Sequence, residues 1–232
     1  MKKVISYSLW GNSTRYTMGA IQNARLAHYY YPGWVSRFYC GQDVDKNIID
    51  ALNTITNTEI ILMDEANDWT GMFWRFYAAS DSDIMLSRDA DARISKRESC
   101  AVDRWLSSNT CFHIMRDHPY HARPIMGGMW GCKGGILSNI RDLIGRFTKS
   151  NRYEIDQEFL AHVIYPIIKN NCTVHDPFYE KKPFPDECGE RIPCFHIGQA
   201  YDQYGVVLGV EEYGSVSYLD YIRTQEGINI FS

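Results

Sequence analysis

The stretch Ile84-Met85-Leu86-Ser87-Arg88-Asp89-Ala90-Asp91-Ala92-Arg93 decides how this chain is read. A short run of strand length, residues 84–87, leads directly into two aspartates separated by one small residue. Residues two apart in an extended segment project to the same side, so Asp89 and Asp91 present their carboxylates together. They do so past the C-terminal end of the strand, where open α/β sheets place their ligands. Two carboxylates with only Ala90 between them suit a hard divalent cation. Mg²⁺ binds through one or two carboxylates plus substrate phosphates, and Mn²⁺ favours the same oxygen ligands. The spacing recurs at Asp43/Asp45 and Asp81/Asp83, in other surroundings. Asp43 and Asp45 precede an apolar-periodic helix and complement its N-terminus. Asp81 and Asp83 sit ahead of the strand, as turn residues do.

Upstream, short β-rich runs alternate with amphipathic stretches. Strands are expected at 4–9, 35–39 and 59–63, and helices at about 18–30, 44–53 and 69–79. Such alternation implies βαβ units and a largely parallel sheet covered on both faces. Downstream, Ser95-Lys96-Arg97-Glu98 reads as a capping box, with Ala101, Val102, Trp105 and Leu106 as the buried face of the helix it opens. A strand follows at 111–115, then a Gly-rich stretch at 127–135, a helix to about residue 147, and another from 154 to 165 that Pro166 stops. The remainder is rich in Pro and loop residues, with a short strand at 194–197. No repeat, low-complexity tract or Ser/Gly linker divides the chain, so a single domain over 1–232 is expected.

Composition limits the function classes. The 232 residues carry a formal charge of −4, which argues against binding a nucleic-acid polymer. With 16 Tyr, 10 Phe and 6 Trp there is ample apolar area to offset chain entropy, which excludes disorder. The basic-then-apolar opening breaks at Gly11-Asn12-Ser13, short of the roughly 7–15 apolar residues of a signal peptide. No stretch approaches the roughly 20 apolar residues of an integral membrane segment. The odd count of 7 cysteines reads as reduced thiols in a reducing compartment, and the chain as cytoplasmic. Cys172, His175, Cys188, Cys194 and His196 match no zinc spacing. Gly-x-Gly-x-x-Gly after a strand, the P-loop, His-Glu-x-x-His and Gly-x-Ser-x-Gly are all missing.

Beyond Arg88-Asp89-Ala90-Asp91-Ala92-Arg93, a longer set recurs: Trp74-Arg75-Phe76, Arg97-Glu98, Ala101-Val102, Trp105-Leu106, Met115-Arg116-Asp117-His118-Pro119 and Gly127-Gly128-Met129-Trp130-Gly131. Together these resemble the small bacterial and giant-virus glycosyltransferases of the GT-A fold, the chlorella-virus domain among them, over residues 4–165 and more loosely beyond. The resemblance implies an α/β, Rossmann-like GT-A domain with a mostly parallel central sheet flanked by helices. Residues to about 115 would form its nucleotide-binding half, and about 116–232 a less regular acceptor side. It further implies a nucleotide-sugar donor, usually a UDP-sugar, and a Mn²⁺ or Mg²⁺ cofactor held by Asp89 and Asp91.

By the same resemblance Ser8, Leu9, Trp10 and Gly11 belong to the base and ribose, although Trp10 also reads as core. Arg15 and Arg75 are phosphate partners, with a plain surface cation as the other reading of Arg75. Arg88, Ala90 and Gly128 complete the expected donor contacts. His196 resembles a C-terminal histidine that completes metal coordination in the glycogenin-like branch; an ordinary hydrogen-bonded histidine is the other reading. Asp156, Asp117 and His118 are the catalytic candidates. Asp156 is a general base, a group that orients the sugar, or a helix-dipole partner; Asp117 is a turn former otherwise. Trp130 offers a face to a pyranose or fills the core. The function expected is metal-dependent sugar transfer to a glycan hydroxyl. The alternatives are a sugar-phosphate nucleotidyltransferase and a non-catalytic glycan-binding domain.

Overall fold

The structure is a computed structural model that describes residues 1–65, 68–147, 150–209 and 216–231. Its strands are β1 Lys3–Leu9, β2 Val35–Gly41, β3 Thr58–Met63, β4 Ile84–Ser87, β5 Phe112–Met115, β6 Trp130–Lys133 and β7 Cys172–His175. They form one seven-stranded sheet in the order β3-β2-β1-β4-β6-β5-β7. Only β6 runs antiparallel to its neighbours, so the sheet is mostly parallel, as expected.

Alternation along the strands sorts the core into two layers. Ile5, Tyr7 and Leu9 of β1 join Phe38 and Leu86 against α1 Thr14–Tyr30 and α3 Lys96–Leu106, with α2 Lys46–Asn53 packed beside α1. On the other face Val4, Tyr39 and Met85 meet a 3₁₀ segment, Trp69–Ser80, together with α4 Ile140–Arg146 and α5 Ile155–Phe159. The helix expected at 69–79 is therefore 3₁₀ throughout, burying residues 71–79 without a break.

Several expectations are corrected. Pro166 does not stop its helix: α5 passes through a π-helical stretch, Leu160–Ile164, into α6 Tyr165–Ile168. Pro166 lies in the first turn of α6, where a missing N–H is tolerated, and the wider π turn precedes it. The strand expected at 194–197 is a 3₁₀ turn, Pro193–Phe195. Two strands went unread. The Gly-rich stretch contains β6, where a Cβ on Gly131 would lie 2.7 Å from Leu86 Cδ2 and 2.8 Å from the Met85 carbonyl. The loop-rich part contains β7. Cys100 of α3 and Cys188 of the 3₁₀ turn Asp186–Cys188 form a disulfide with their Cα atoms 5.2 Å apart, against the expectation of reduced thiols throughout. No helix among the described residues is long and apolar enough to cross a membrane.

The capping box is half formed. Ser95 Oγ accepts the Glu98 N–H at 3.2 Å, but the Glu98 carboxylate turns inward instead of returning to Ser95. There it accepts from Arg88 Nε at 2.7 Å and from the Tyr31 hydroxyl at 2.8 Å. Arg88 follows β4 and also donates to the Ser87 and Trp130 carbonyls, so this buried pair ties β4 and β6 to α3. Removing one member of a buried pair strands the other charge. Glu98→Ala is expected to lower unfolding free energy by about 3–5 kcal/mol, measured by urea denaturation; a loss within ordinary surface variation would contradict this role.

A second buried pair predicts a pH dependence. His113 Nε2 of β5 and His175 Nδ1 of β7 lie 2.8 Å apart. Burial pushes His175 down to about 4 and His113 well below its usual value. The unfolded chain takes up these protons near pH 6.5 and the folded chain resists, so the stability is complete above about 6.5. It is lost as pH falls toward about 4, by up to roughly 1.4 kcal/mol per pH unit for each histidine. The urea midpoint should fall over that window, and less steeply in His175→Phe. An equally steep fall in that variant would assign the dependence elsewhere.

Candidate active site

Strand order reverses between β1 and β4, and at such a reversal a crevice opens beyond the carboxyl ends of the strands. β4 ends there with Asp89 and Asp91, and β1 with Ser8 to Gly11. Because β6 is antiparallel, its entry residues Gly127 and Gly128 arrive at the same edge.

The Asp-Ala-Asp turn is clamped from behind by α1. Gly19 lies so close to the Ala90 carbonyl that no side chain fits. Asn23 Nδ2 donates to the carbonyls of Ala90 (3.2 Å) and Ala92 (2.8 Å), and Asn23 Oδ1 accepts the Ile94 N–H at 3.2 Å. Arg93, buried and with its pKa pushed down to about 10 by that burial, donates to Gln22 Oε1 at 2.7 Å and the Asp202 carbonyl at 3.0 Å. The Tyr201 N–H donates to the Asp91 carbonyl at 2.9 Å. Sequence reading missed Gly19, Gln22 and Asn23, and quoted Arg93 without giving it a role. The available signal was a glycine and an asparagine inside an otherwise good helix, a pattern that asks for a packing reason.

In front of the turn lies a charge cluster. Arg75 binds Asp89 through Nη1 and Asp156 Oδ2 through Nη2 at 2.8 Å, while its backbone N–H donates to Ser8 Oγ at 2.9 Å. Arg15, in the first turn of α1, pairs with Asp91. Gly127 and Gly128 leave room for these groups: a Cβ on Gly127 would run into Arg75 and Asp156, and one on Gly128 into the Asp89 carboxylate. Burial raises the pKa of Asp156 against the pull of Arg75. Burial and then Asp89 raise that of Asp91, against Arg15. Burial works to lower Arg75, but Asp89 and Asp156 outweigh it and hold its pKa above the usual value.

Three carboxylates face two guanidiniums here, leaving excess negative charge. Among the described residues no group of three or more His, Cys, Asp or Glu side chains is arranged to hold a metal ion alone. Mg²⁺ and Mn²⁺ take few protein carboxylates and complete their shell with ligand oxygens. Asp89 and Asp91 are the residues that fit.

Other site expectations are redirected. Leu9 is buried as a whole, its side chain in the core. Arg88 is occupied by Glu98 and points to the opposite side of the strand from Asp89. Ala90 is buried against α1. Trp130 is wholly buried with its ring on Phe76, which rules out stacking on a pyranose. Asp117 has no exposed surface; its carboxylate accepts from Arg97 at 3.2 Å and from the Ile197 N–H at 3.1 Å, an anchor for the C-terminal segment. His118 stacks on His196 at 4.3 Å, and His196 Nδ1 lies 3.0 Å from the Pro193 carbonyl. These contacts put His196 in a histidine group with His118 and His121. Gly11 turns the chain with φ +68 after Trp10, whose ring packs edge-on against Trp69 and Trp74. Trp69 and Tyr153, both exposed and 5.2 Å apart, extend that aromatic wall.

No family model and no curated protein matches the chain. Solved structures do. A glycosyltransferase involved in the glycosylation of the major capsid of PBCV-1 is 16% identical, with 75% of this chain and 83% of that one covered and a TM-score of 0.47. A mannosyltransferase from Pyrobaculum calidifontis, in complex with GDP-Man and Mn²⁺, is 14% identical over 76% of this chain and 55% of its own, with a TM-score of 0.49. Glucosyl-3-phosphoglycerate synthase from Mycobacterium tuberculosis, in complex with Mn²⁺ and UDP-Glc, is 12% identical over 74% and 68%, with a TM-score of 0.46. This chain thus spans little more than half of the mannosyltransferase.

Proposed function

We propose that this chain is a metal-dependent glycosyltransferase that moves a sugar from a nucleotide-diphosphate donor, a UDP-sugar foremost, to a hydroxyl of a glycan acceptor. The observation that carries the reading is the pair Asp89/Asp91 at the end of β4, in one crevice with Arg15, Arg75 and Asp156. Asp89 and Asp91 would hold Mn²⁺ or Mg²⁺, which supplies Lewis-acid stabilisation of the departing nucleotide diphosphate. Arg15 and Arg75 are the donor's phosphate partners, and guanidiniums match phosphate oxygens in a bidentate manner. Trp10 and the Gly11 turn border the crevice on the β1 side and offer a wall for the base and ribose. Ser8 fixes Arg75 through its backbone, and Gly128 gives Asp89 its space.

Asp156 acts in this reading as the group that orients Arg75. Its carboxylate is buried and already paired, which suits holding charge in place better than collecting an acceptor's proton. The continuous sheet supports reading 1–232 as one domain, with the nucleotide on its first half and the acceptor on its second. A cytoplasmic location belongs to the same proposal; the Cys100–Cys188 disulfide stands against it, since disulfides persist mainly in oxidising compartments.

Calorimetric titration with UDP, with and without Mn²⁺, tests the reading: binding should require the metal. Asp91→Asn is expected to abolish Mn²⁺-dependent hydrolysis of a UDP-sugar while changing stability by no more than about 1 kcal/mol. Full activity in that variant would overturn the site. Release of pyrophosphate from a nucleoside triphosphate and a sugar phosphate would mark a nucleotidyltransferase instead.

A further inference from the structure

Both carboxylates of the Asp-Ala-Asp turn are engaged by guanidiniums, and the two are held very differently. Arg75 has a side chain 8% exposed and is anchored twice, on Asp89 and on Asp156. Arg15 is 38% exposed, stands at the first turn of α1, and has Asp91 as its ion-pair partner. The Nε atoms of both arginines are buried with no hydrogen-bond partner. Each guanidinium therefore keeps donor capacity that its carboxylate partners do not use.

Charge sets the order of events. Three carboxylates against two guanidiniums carry one negative charge in excess, and a divalent cation turns that into one positive in excess. Only an anion restores the balance. A cation approaching Asp91 competes with Arg15 for the same oxygens and repels its guanidinium. Arg75, if turned away from Asp89, keeps Asp156; Arg15 has no second carboxylate among the described residues, only the Tyr16 ring 5.3 Å from its guanidinium carbon, and its long stem reaches from a half-exposed position.

We propose that Arg15 is an exchangeable counter-ion. It pairs with Asp91 until a divalent cation takes that carboxylate, then transfers to the phosphate oxygens of the incoming nucleoside diphosphate, while Arg75 remains on Asp156. The inference rests on Asp89 and Asp91 being the cation and donor site, and adds a coupling between the two ligands. Arg15 opposes the cation alone and favours the cation–diphosphate pair. By linkage, it therefore makes each ligand raise the affinity for the other.

The test uses the full chain with Mn²⁺ alone, followed by UDP at saturating Mn²⁺, each measured by calorimetry in wild type, Arg15→Gln and Arg15→Lys. Arg15→Gln should bind Mn²⁺ alone several-fold more tightly and UDP with Mn²⁺ about tenfold more weakly, within the range of ordinary coupling. Arg15→Lys keeps the charge without the fork and should fall between. Effects of the same sign on both ligands, or no effect on Mn²⁺ alone, would overturn the exchange while leaving the transferase reading intact. If the wild-type chain shows no Mn²⁺-dependent UDP binding at all, the transferase reading fails and the exchange falls with it.

Discussion

One buried guanidinium joins the parts of this crevice. Arg75 holds Asp89, at the end of β4, and Asp156, in α5, which lies 81 residues further along the chain than Arg75 itself. Three elements from different stretches of sequence thereby meet at a single planar group. The 3₁₀ segment carries it with residues 71–79 buried throughout, so the charge sits on a buried base. Gly127 and Gly128 are demanded by the same geometry, because a side chain at either position would fill the space of the arginine or its carboxylates. A buried charge is tolerable only when paired, and here the pairing also defines the shape of the site.

The turn that carries the aspartates has a second set of supports besides that bridge. It is fixed from the opposite side by main-chain contacts: Asn23 on the carbonyls of Ala90 and Ala92, Gly19 against Ala90, and the Tyr201 N–H on the Asp91 carbonyl. Backbone is thus held by the α1 layer while the carboxylates face the other way. Behind them, Arg88 and Glu98 connect β4 to α3 out of reach of solvent.

How much of this was legible from sequence depends on the distance over which each interaction acts. The place of the aspartate pair just past a strand was readable because a strand end is a local fact, and the other Asp-x-Asp pairs were separable on the same ground; that Ala90 and Asp91 form a turn was not. Asp45 does cap α2, accepting the Asn47 N–H at 2.7 Å, and Asp81 does hold Arg37 from the turn before β4, at 2.6 Å. Arg75 and Asp156 could be named singly but not joined, since nothing local relates them. β6 and β7 were missed for another reason. Each is four residues long, and Gly131 is present to admit Leu86 and not to favour a strand. Arg88 was misassigned because the motif's resemblance says nothing about which side of the strand its neighbour takes. The Cys100–Cys188 pairing spans 88 residues and was invisible to a count of cysteines.

Burial grades the ion pairs of this region into fixed and exchangeable ones. Arg88–Glu98 has side chains 3% and 2% exposed, and breaking it would leave a charge in a low-dielectric interior. Arg15–Asp91, at 38% and 13%, is partly solvated on the arginine side, and pairs of that kind contribute little net stability because water competes for both partners. Arg75 lies between, buried but shared by two carboxylates. The innermost pair keeps the sheet and helix in register, the middle one keeps Asp156 in place, and the outermost is the least costly of the three to separate.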